Sequence, residues 1–188
     1  MNRLLSCFLL LVSITWGYSQ DIPLSQILVP SENWTKTTSN LAGEFSAIAS
    51  DSQGALFLAS TKSKSILKLD STGKTIEVVT DAPAKALAID SQGGIFLASG
   101  SNILYAASGN SKASMIIEGL DCVALCTLKQ GKCYGAAPSE KAIYLFDKSG
   151  AKKKVNTDDA VLSLAVSNDE TTLCLQAAQM ADRFSLFA

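Results

Sequence analysis

Histidine is absent from all 188 residues of this chain. Its absence excludes the Ser-His-Asp and Cys-His arrangements of nucleophilic catalysis, and any zinc site that needs imidazole. An excess of either charge is also missing, since 16 basic residues face 17 acidic ones. Scattered, nearly balanced charge does not predict a nucleic-acid-binding protein. The one run of like charge, residues 152–154, is expected to form a solvated turn.

Long apolar runs are missing too, apart from one at the start of the chain. Arg3 precedes an apolar run at residues 4–14, and small residues follow it. This order is typical of a secretory signal peptide, and the run is shorter than the roughly 20 residues that span a bilayer. We therefore expect a signal peptide at residues 1–19. The mature protein is then exported, to a periplasm or out of the cell, with no membrane span.

Two nearly identical decapeptides stand out in the remaining chain. DSQGALFLAS begins at Asp51, and DSQGGIFLAS begins at Asp90. Each starts with a polar turn whose glycine, Gly54 or Gly93, supplies the positive φ that a tight hairpin often needs. Each continues as a short apolar segment. The decapeptide therefore predicts the same β-hairpin in two successive units.

Weaker copies of this unit follow. ALCTLKQGKCYGAA begins at Ala124, and SLAVSNDETTLCLQAA begins at Ser163, with Glu170 or Thr171 at the place of the glycine. Alternating and β-branched runs complete four strands in units of about 40 residues, the spacing of a propeller blade. We predict an all-β fold, a β-propeller of about four four-stranded blades. Their expected bounds are about 41–80, 81–119, 120–157 and 158–188.

The last predicted blade lacks an outer strand, because the chain stops inside its third strand. Residues 20–40 are expected to be a lead-in and closing strand, in which the extended stretch 33–38 pairs with the last blade and closes the ring. Such closure leaves no open sheet edge. Two alternatives stand beside it: a truncated product of a longer gene, and a half-ring that dimerises.

Two stretches resemble a known family. ILVPSENWTKTTSNLAGEFSAIASDSQGALFLAS, from Ile27, resembles the opening of the SMP-30/gluconolactonase family of propellers. SNDETTLCL, from Ser167, resembles the recurring S-P-D-G-K-T-L-Y-V blade hairpin of that family; NHL-type propellers share the D-x-x-G hairpin and are next closest. The resemblance implies a six-bladed propeller that hydrolyses sugar lactones with a divalent cation in its central channel.

The family's metal ligands do not carry over to this chain. The glutamate of the E-G-P motif, eight residues before the first hairpin glycine, falls at Ser46. The asparagine of the P-N-G-[LI]-A motif is missing from both matching stretches, residues 85–88 and 162–165. These departures favour a non-catalytic or degenerate binding or scaffold module that presents its loop face to a small molecule or a protein. The alternative is a metal-dependent lactonase.

Acidic residues precede each predicted blade, independently of any family. Four carboxylates around one axis would repel one another unless a cation lay among them, and oxygen ligands suit Ca²⁺ or Mg²⁺. The alternative is that these acids are solvated loop residues, as most acids are. The candidate ligands are Glu44, Asp81, Asp121, and Asp158 or Asp159.

Four cysteines remain after the predicted signal peptide, and an even number in an exported protein allows disulfides. Cys126 and Cys133 flank a predicted hairpin loop, in a register that makes them directly opposed. Opposed Cβ atoms are close enough for a disulfide, which we expect here. The alternative is a pair of small buried thiols.

Overall fold

The computed structural model describes residues 43–70 and 73–178, together with the backbone of residues 185–187. The chain divides into two units, Met1–Lys36 and Thr37–Ala188, and every described residue belongs to the second. The predicted signal peptide and closing strand lie outside the described residues. Regular structure in the described part is β-strand, apart from one short 3₁₀ turn at Pro138–Glu140. No helix there is long and apolar enough to cross a membrane.

Four antiparallel sheets follow one another along the chain, each with its strands paired in sequence order. The first sheet contains β1 Phe45–Ser50, β2 Leu56–Ser60, β3 Ser65–Leu69 and β4 Thr75–Val79. The second contains β5 Ala86–Ile89, β6 Ile95–Ser99, β7 Asn102–Ala106 and β8 Ser114–Ile117. The third contains β9 Ala124–Thr127, β10 Lys132–Ala137, β11 Ala142–Asp147 and β12 Lys152–Asn156. The fourth contains β13 Val161–Val166, β14 Leu173–Ala177 and β15 Ser185–Phe187.

Apolar side chains fill the space between consecutive sheets. Phe57 of the first sheet shares a core with Leu97 of the second. Phe96, on the other face of the second sheet, meets Phe146 of the third edge-on, with 5.8 Å between the ring centroids. Val161 of the fourth sheet is buried against the third. The innermost strands β1, β5, β9 and β13 accordingly contact one another in succession. The strands of the second sheet are apolar on both faces because a neighbouring sheet covers each face.

The first sheet keeps one apolar face that no described sheet covers. Ile48 is 63% exposed, whereas its counterpart one repeat later, Leu87, is 6% exposed because the first sheet packs on it. The other apolar positions of the face also match the second repeat, so its composition is that of a surface between blades. The same face carries Leu56 and Leu67, which are half-buried, and Leu58 and Leu69, which are each 6% exposed, so Ile48 is the strongly exposed member of this set.

The fourth sheet has three described strands, of which β15 is the last along the chain. Among the described strands, β1 and β13 share no extensive contact. Closure of the ring by residues 33–38 falls outside the described residues and stays a prediction.

The lysine run at residues 152–154 differs from its expected place. These residues form strand β12, the outer strand of the third sheet, rather than a turn. Exposed lysines are common on edge strands because they discourage pairing with another chain. The run is exposed to solvent, as expected, but it pairs with the apolar strand β11, which its sequence did not predict.

Candidate functional site

Tight turns connect the innermost strand of each sheet to its second strand. In all four turns an amide donates to the carbonyl three residues earlier, with nitrogen–oxygen distances of 2.9–3.1 Å. The fourth residue has a positive φ each time, between 60° and 79°. That residue is Gly54, Gly93, Gly131 and Glu170 in turn. The predicted hairpin positions are confirmed, and Glu170 is the residue that replaces glycine in the fourth sheet.

The aspartate that opens each decapeptide fixes its turn. Asp90 Oδ1 accepts from the amides of Gln92 and Gly94 at 2.8 Å, and its Oδ2 accepts from the Tyr105 hydroxyl at 2.9 Å. Asp90 is buried. Burial of Tyr105, together with its hydrogen bond to Asp90, raises the pKa of Tyr105 to about 12. Asp51 makes the same pattern with the amides of Gln53 and Ala55. The decapeptide recurs because its aspartate links the turn to the third strand of its own sheet.

Hydrogen bonds also join the turns of neighbouring sheets. Thr127 donates its hydroxyl to the Ile89 carbonyl at 2.7 Å, and Ser91 donates to the Lys129 carbonyl at 2.9 Å. The Lys129 amide donates to the Glu170 carboxylate, and the Lys129 ammonium group donates to the Asn168 carbonyl. The turns of the second, third and fourth sheets therefore form one connected polar surface. We call it the hairpin face.

A cleft of about 230 Å³ opens on the hairpin face. Turns after all four innermost strands line it, at residues 52, 89–91, 126–129 and 166–170. Its lining combines hydroxyl and amide side chains with the charged residues Asp90, Lys129 and Glu170. Burial raises the pKa of its one thiol, Cys126, so this cysteine is not an activated nucleophile. We call this the axial cleft.

A second cleft, of about 380 Å³, lies beside the first on the hairpin face. It is formed by the β5–β6, β9–β10 and β11–β12 turns, at residues 90–92, 129–132 and 147–149. Three lysines line it, and sequence reasoning missed them because they come from two different turns. We call this the lysine cleft; its lysines are Lys129, Lys132 and Lys148.

The predicted acidic ligands precede the innermost strands, whereas both clefts follow them. Glu44, Asp81 and Asp121 are exposed, and Asp159 is half-buried. Asp121 forms a salt bridge with Lys85. Within the described part of the chain, no three Asp, Glu or Cys side chains come together in a way that could hold a metal ion. Binding of one cation by these predicted ligands stays a prediction.

Ser46 stands where the family's metal-binding glutamate would be expected. Its hydroxyl donates to the carbonyl of Ala84, in the segment that leads into the second sheet. The position thus holds two sheets together. A short hydroxyl side chain suits that role, whereas a glutamate carries no proton to donate at neutral pH.

The cysteine register differs by one residue from the expected one. Cys126 pairs with Tyr134, and Cys133 pairs with Thr127. Because side chains alternate between faces, Cys133 lies in the core with the second sheet, whereas Cys126 faces the fourth. The expectation that the two cysteines are directly opposed is wrong, and their sulfur atoms are not bonded.

No known family model and no curated protein matches this chain. Solved structures do match it. A putative gluconolactonase superposes with a TM-score of 0.63 at 13% identity, over 79% of this chain and 62% of its own. Virginiamycin B lyase from Staphylococcus aureus gives 0.59 at 13% identity, over 77% and 55%. Regucalcin, a calcium-binding protein from Agrobacterium tumefaciens strain C58, gives 0.56 at 14% identity, over 72% and 54%.

Successive antiparallel sheets that stack face to face, with these structural neighbours, define the chain as a β-propeller. More particularly, its fold is the one seen in gluconolactonase- and SMP-30-like propellers, as the sequence resemblance implied. At these identities the likeness is one of fold. The chain spans about 54–62% of the length of the three solved chains.

Proposed function

We propose that this chain is a non-catalytic binding module that presents the hairpin face of a β-propeller to a polar ligand. The observation that carries the proposal is Ser46, whose hydroxyl bonds to the neighbouring sheet at the position where the family's metal-binding glutamate is expected. The hairpin face supports it further, because hydrogen bonds between turns connect the elements that line its two clefts. Rigid scaffolds that position loops are a common basis for binding.

Calcium analysis and a hydrolysis assay test this proposal together. The purified mature chain is assayed with glucono-δ-lactone in the presence of Ca²⁺ and in the presence of a chelator. We expect hydrolysis at the uncatalysed rate in both, and no stoichiometric calcium. Calcium-dependent hydrolysis that disappears in Glu44→Gln, while Glu77→Gln keeps it, would overturn the proposal and favour a lactonase.

The lactonase alternative is supported by the names of the neighbours, which include a putative gluconolactonase and a calcium-binding regucalcin. In that case Glu44, Asp81, Asp121 and Asp159 are the candidate oxygen ligands for Ca²⁺ or another divalent cation. Fold likeness alone does not transfer an activity between proteins. We therefore rank this function second.

Export is part of the proposal and rests on the sequence of residues 1–19 alone. A positive residue followed by a short apolar run and small residues is the signature of a cleaved signal. Expression of the full chain with a C-terminal tag, followed by N-terminal sequencing of the exported product, tests it. We expect a new N-terminus near Ser19 or Gln20; retention of Met1 would contradict export by cleavage.

A further inference from the structure

Positive charge is concentrated in the third sheet. Residues 129–154 hold seven lysines and only two acids, although the whole chain has a net charge of −1. The lysines are Lys129, Lys132, Lys141, Lys148, Lys152, Lys153 and Lys154. Three of them lie on the exposed strand β12, three line the lysine cleft, and Lys141 follows the 3₁₀ turn. In the cleft, the three lysines line one concave surface.

The two acids that line the lysine cleft are already occupied. Asp90 is buried and accepts three hydrogen bonds within its own sheet. Asp147 accepts from the amide and the hydroxyl of Ser149, which hold the pKa of Asp147 below its ordinary value, and Lys132 contributes to that shift. Both carboxylates keep their negative charge, and Asp147 lies across the strand pair from Lys132, so the three lysines and two acids of the lining leave the cleft a net charge of +1.

Two of the lysines that line the cleft form no salt bridge with a described residue. In the described part of the chain, Lys132 and Lys148 are exposed and form no salt bridge, whereas Lys154 pairs with Glu140 and Lys129 donates to the Asn168 carbonyl. Amide and hydroxyl groups of Gln92, Gln130 and Ser91 complete the lining. Such a surface offers hydrogen-bond donors and positive charge.

We propose that the lysine cleft binds a small ligand carrying a tetrahedral oxyanion ester, a sugar phosphate or a sugar sulfate. Ammonium groups act as point charges for such anions, and amide and hydroxyl groups suit sugar hydroxyls. A volume of about 380 Å³ is at the lower end of ordinary small-molecule pockets and fits a ligand of monosaccharide size. The inference rests on the proposed binding function and assigns that function to the lysine cleft.

Calorimetric titration tests the inference, with glucose 6-phosphate, glucose 6-sulfate and glucose as probes. The wild-type chain is compared with Lys132→Gln/Lys148→Gln, and with the control Lys62→Gln/Lys153→Gln, which removes two exposed charges outside the cleft. We expect wild-type binding of at least one anionic sugar, and at least about tenfold weaker binding in the cleft variant. The control variant should bind like the wild type, and glucose should not bind. The preferred anion identifies the ester.

Three results would overturn the inference. Equal weakening by the control variant would show that diffuse charge, not the cleft, attracts the anion. Equal binding of glucose would show that the oxyanion is not recognised. Absence of binding by both anionic sugars would remove the site altogether. None of these results decides the lactone and calcium assay, so failure of this inference and failure of the proposed function remain distinguishable. Urea midpoints confirm that all variants are folded.

Discussion

Gly94 marks the main difference between the two decapeptides, since the first copy has Ala55 at that position. A Cβ at Gly94 would lie 2.7 Å from Asp90 Oδ2 and would clash with the Tyr105 hydroxyl. In the first copy the residue equivalent to Tyr105 is Lys68, whose flexible side chain reaches Asp51 at 3.2 Å. The residue after the turn glycine thus depends on which side chain of the third strand reaches the aspartate.

Gly94→Ala should therefore destabilise the protein by about 1–3 kcal/mol, because the extra methyl group displaces Tyr105 from Asp90. The double variant Gly94→Ala/Tyr105→Lys reproduces the pairing of the first copy and should recover most of the loss. Urea denaturation measures both. A double variant no more stable than the single one would contradict this account of the pair.

The carboxyl group of Asp51 makes the free energy of unfolding depend on pH in the acidic range. Burial alone would raise the pKa of Asp51, but the amides of Ala55 and Gln53 and the ammonium group of Lys68 outweigh it and lower the pKa below the ordinary value of 3.8. The ionised form is favoured by folding, so its contribution is present above pH 3.8 and is lost as the pH falls through the lowered value.

Comparison of wild type with Asp51→Asn over the range from pH 6 to about pH 2 checks this sign. The wild type should be more stable at pH 6, and the difference in unfolding free energy should shrink as the solution is acidified. A difference that stays constant or grows on acidification would contradict the assignment. The positions of Asp51 and Gly54 in the turn follow from the sequence. The third-strand partner of Asp51, Lys68, does not, because pairing register is a property of the whole sheet.

At the level of the element, one residue of register decides the chemistry of the cysteines. The loop length between β9 and β10 fits two alignments, and the structure has the one that directs Cys126 and Cys133 to opposite faces. Sequence alone did not distinguish the two alignments. The second and the fourth sheet both bury apolar and small residues against the third, so a cysteine suits either face of it.

Native alkylation followed by mass spectrometry tests the register. Cys122 and Cys133 are fully buried, and burial raises the pKa of Cys122 to about 12 and that of Cys133 well above its ordinary value. Both should react only after unfolding, whereas the half-buried Cys126 and Cys174 should react in the folded protein. A Cys126–Cys133 disulfide in the purified exported protein would contradict the register.

For the molecule as a whole, the repeat allowed the succession of sheets to be predicted, because each unit carries the same turn and the same two-faced apolar strands. The lysine cleft could not be predicted, since its turns are distant in sequence and meet only through stacking of the second and third sheets. Ile48 shows the same dependence: its position in the repeat is that of a surface between blades, but it is 63% exposed because no described blade packs against it.

Hydrogen exchange read strand by strand tests the stacking order on which every site above depends. The second sheet has a neighbour on both faces, and every residue of β5 is buried. Amides of β5 and β6 should therefore exchange most slowly, and those of β13, half of whose residues are exposed, should exchange faster. Slowest exchange in the first or the fourth sheet, or equal protection of all four, would contradict it.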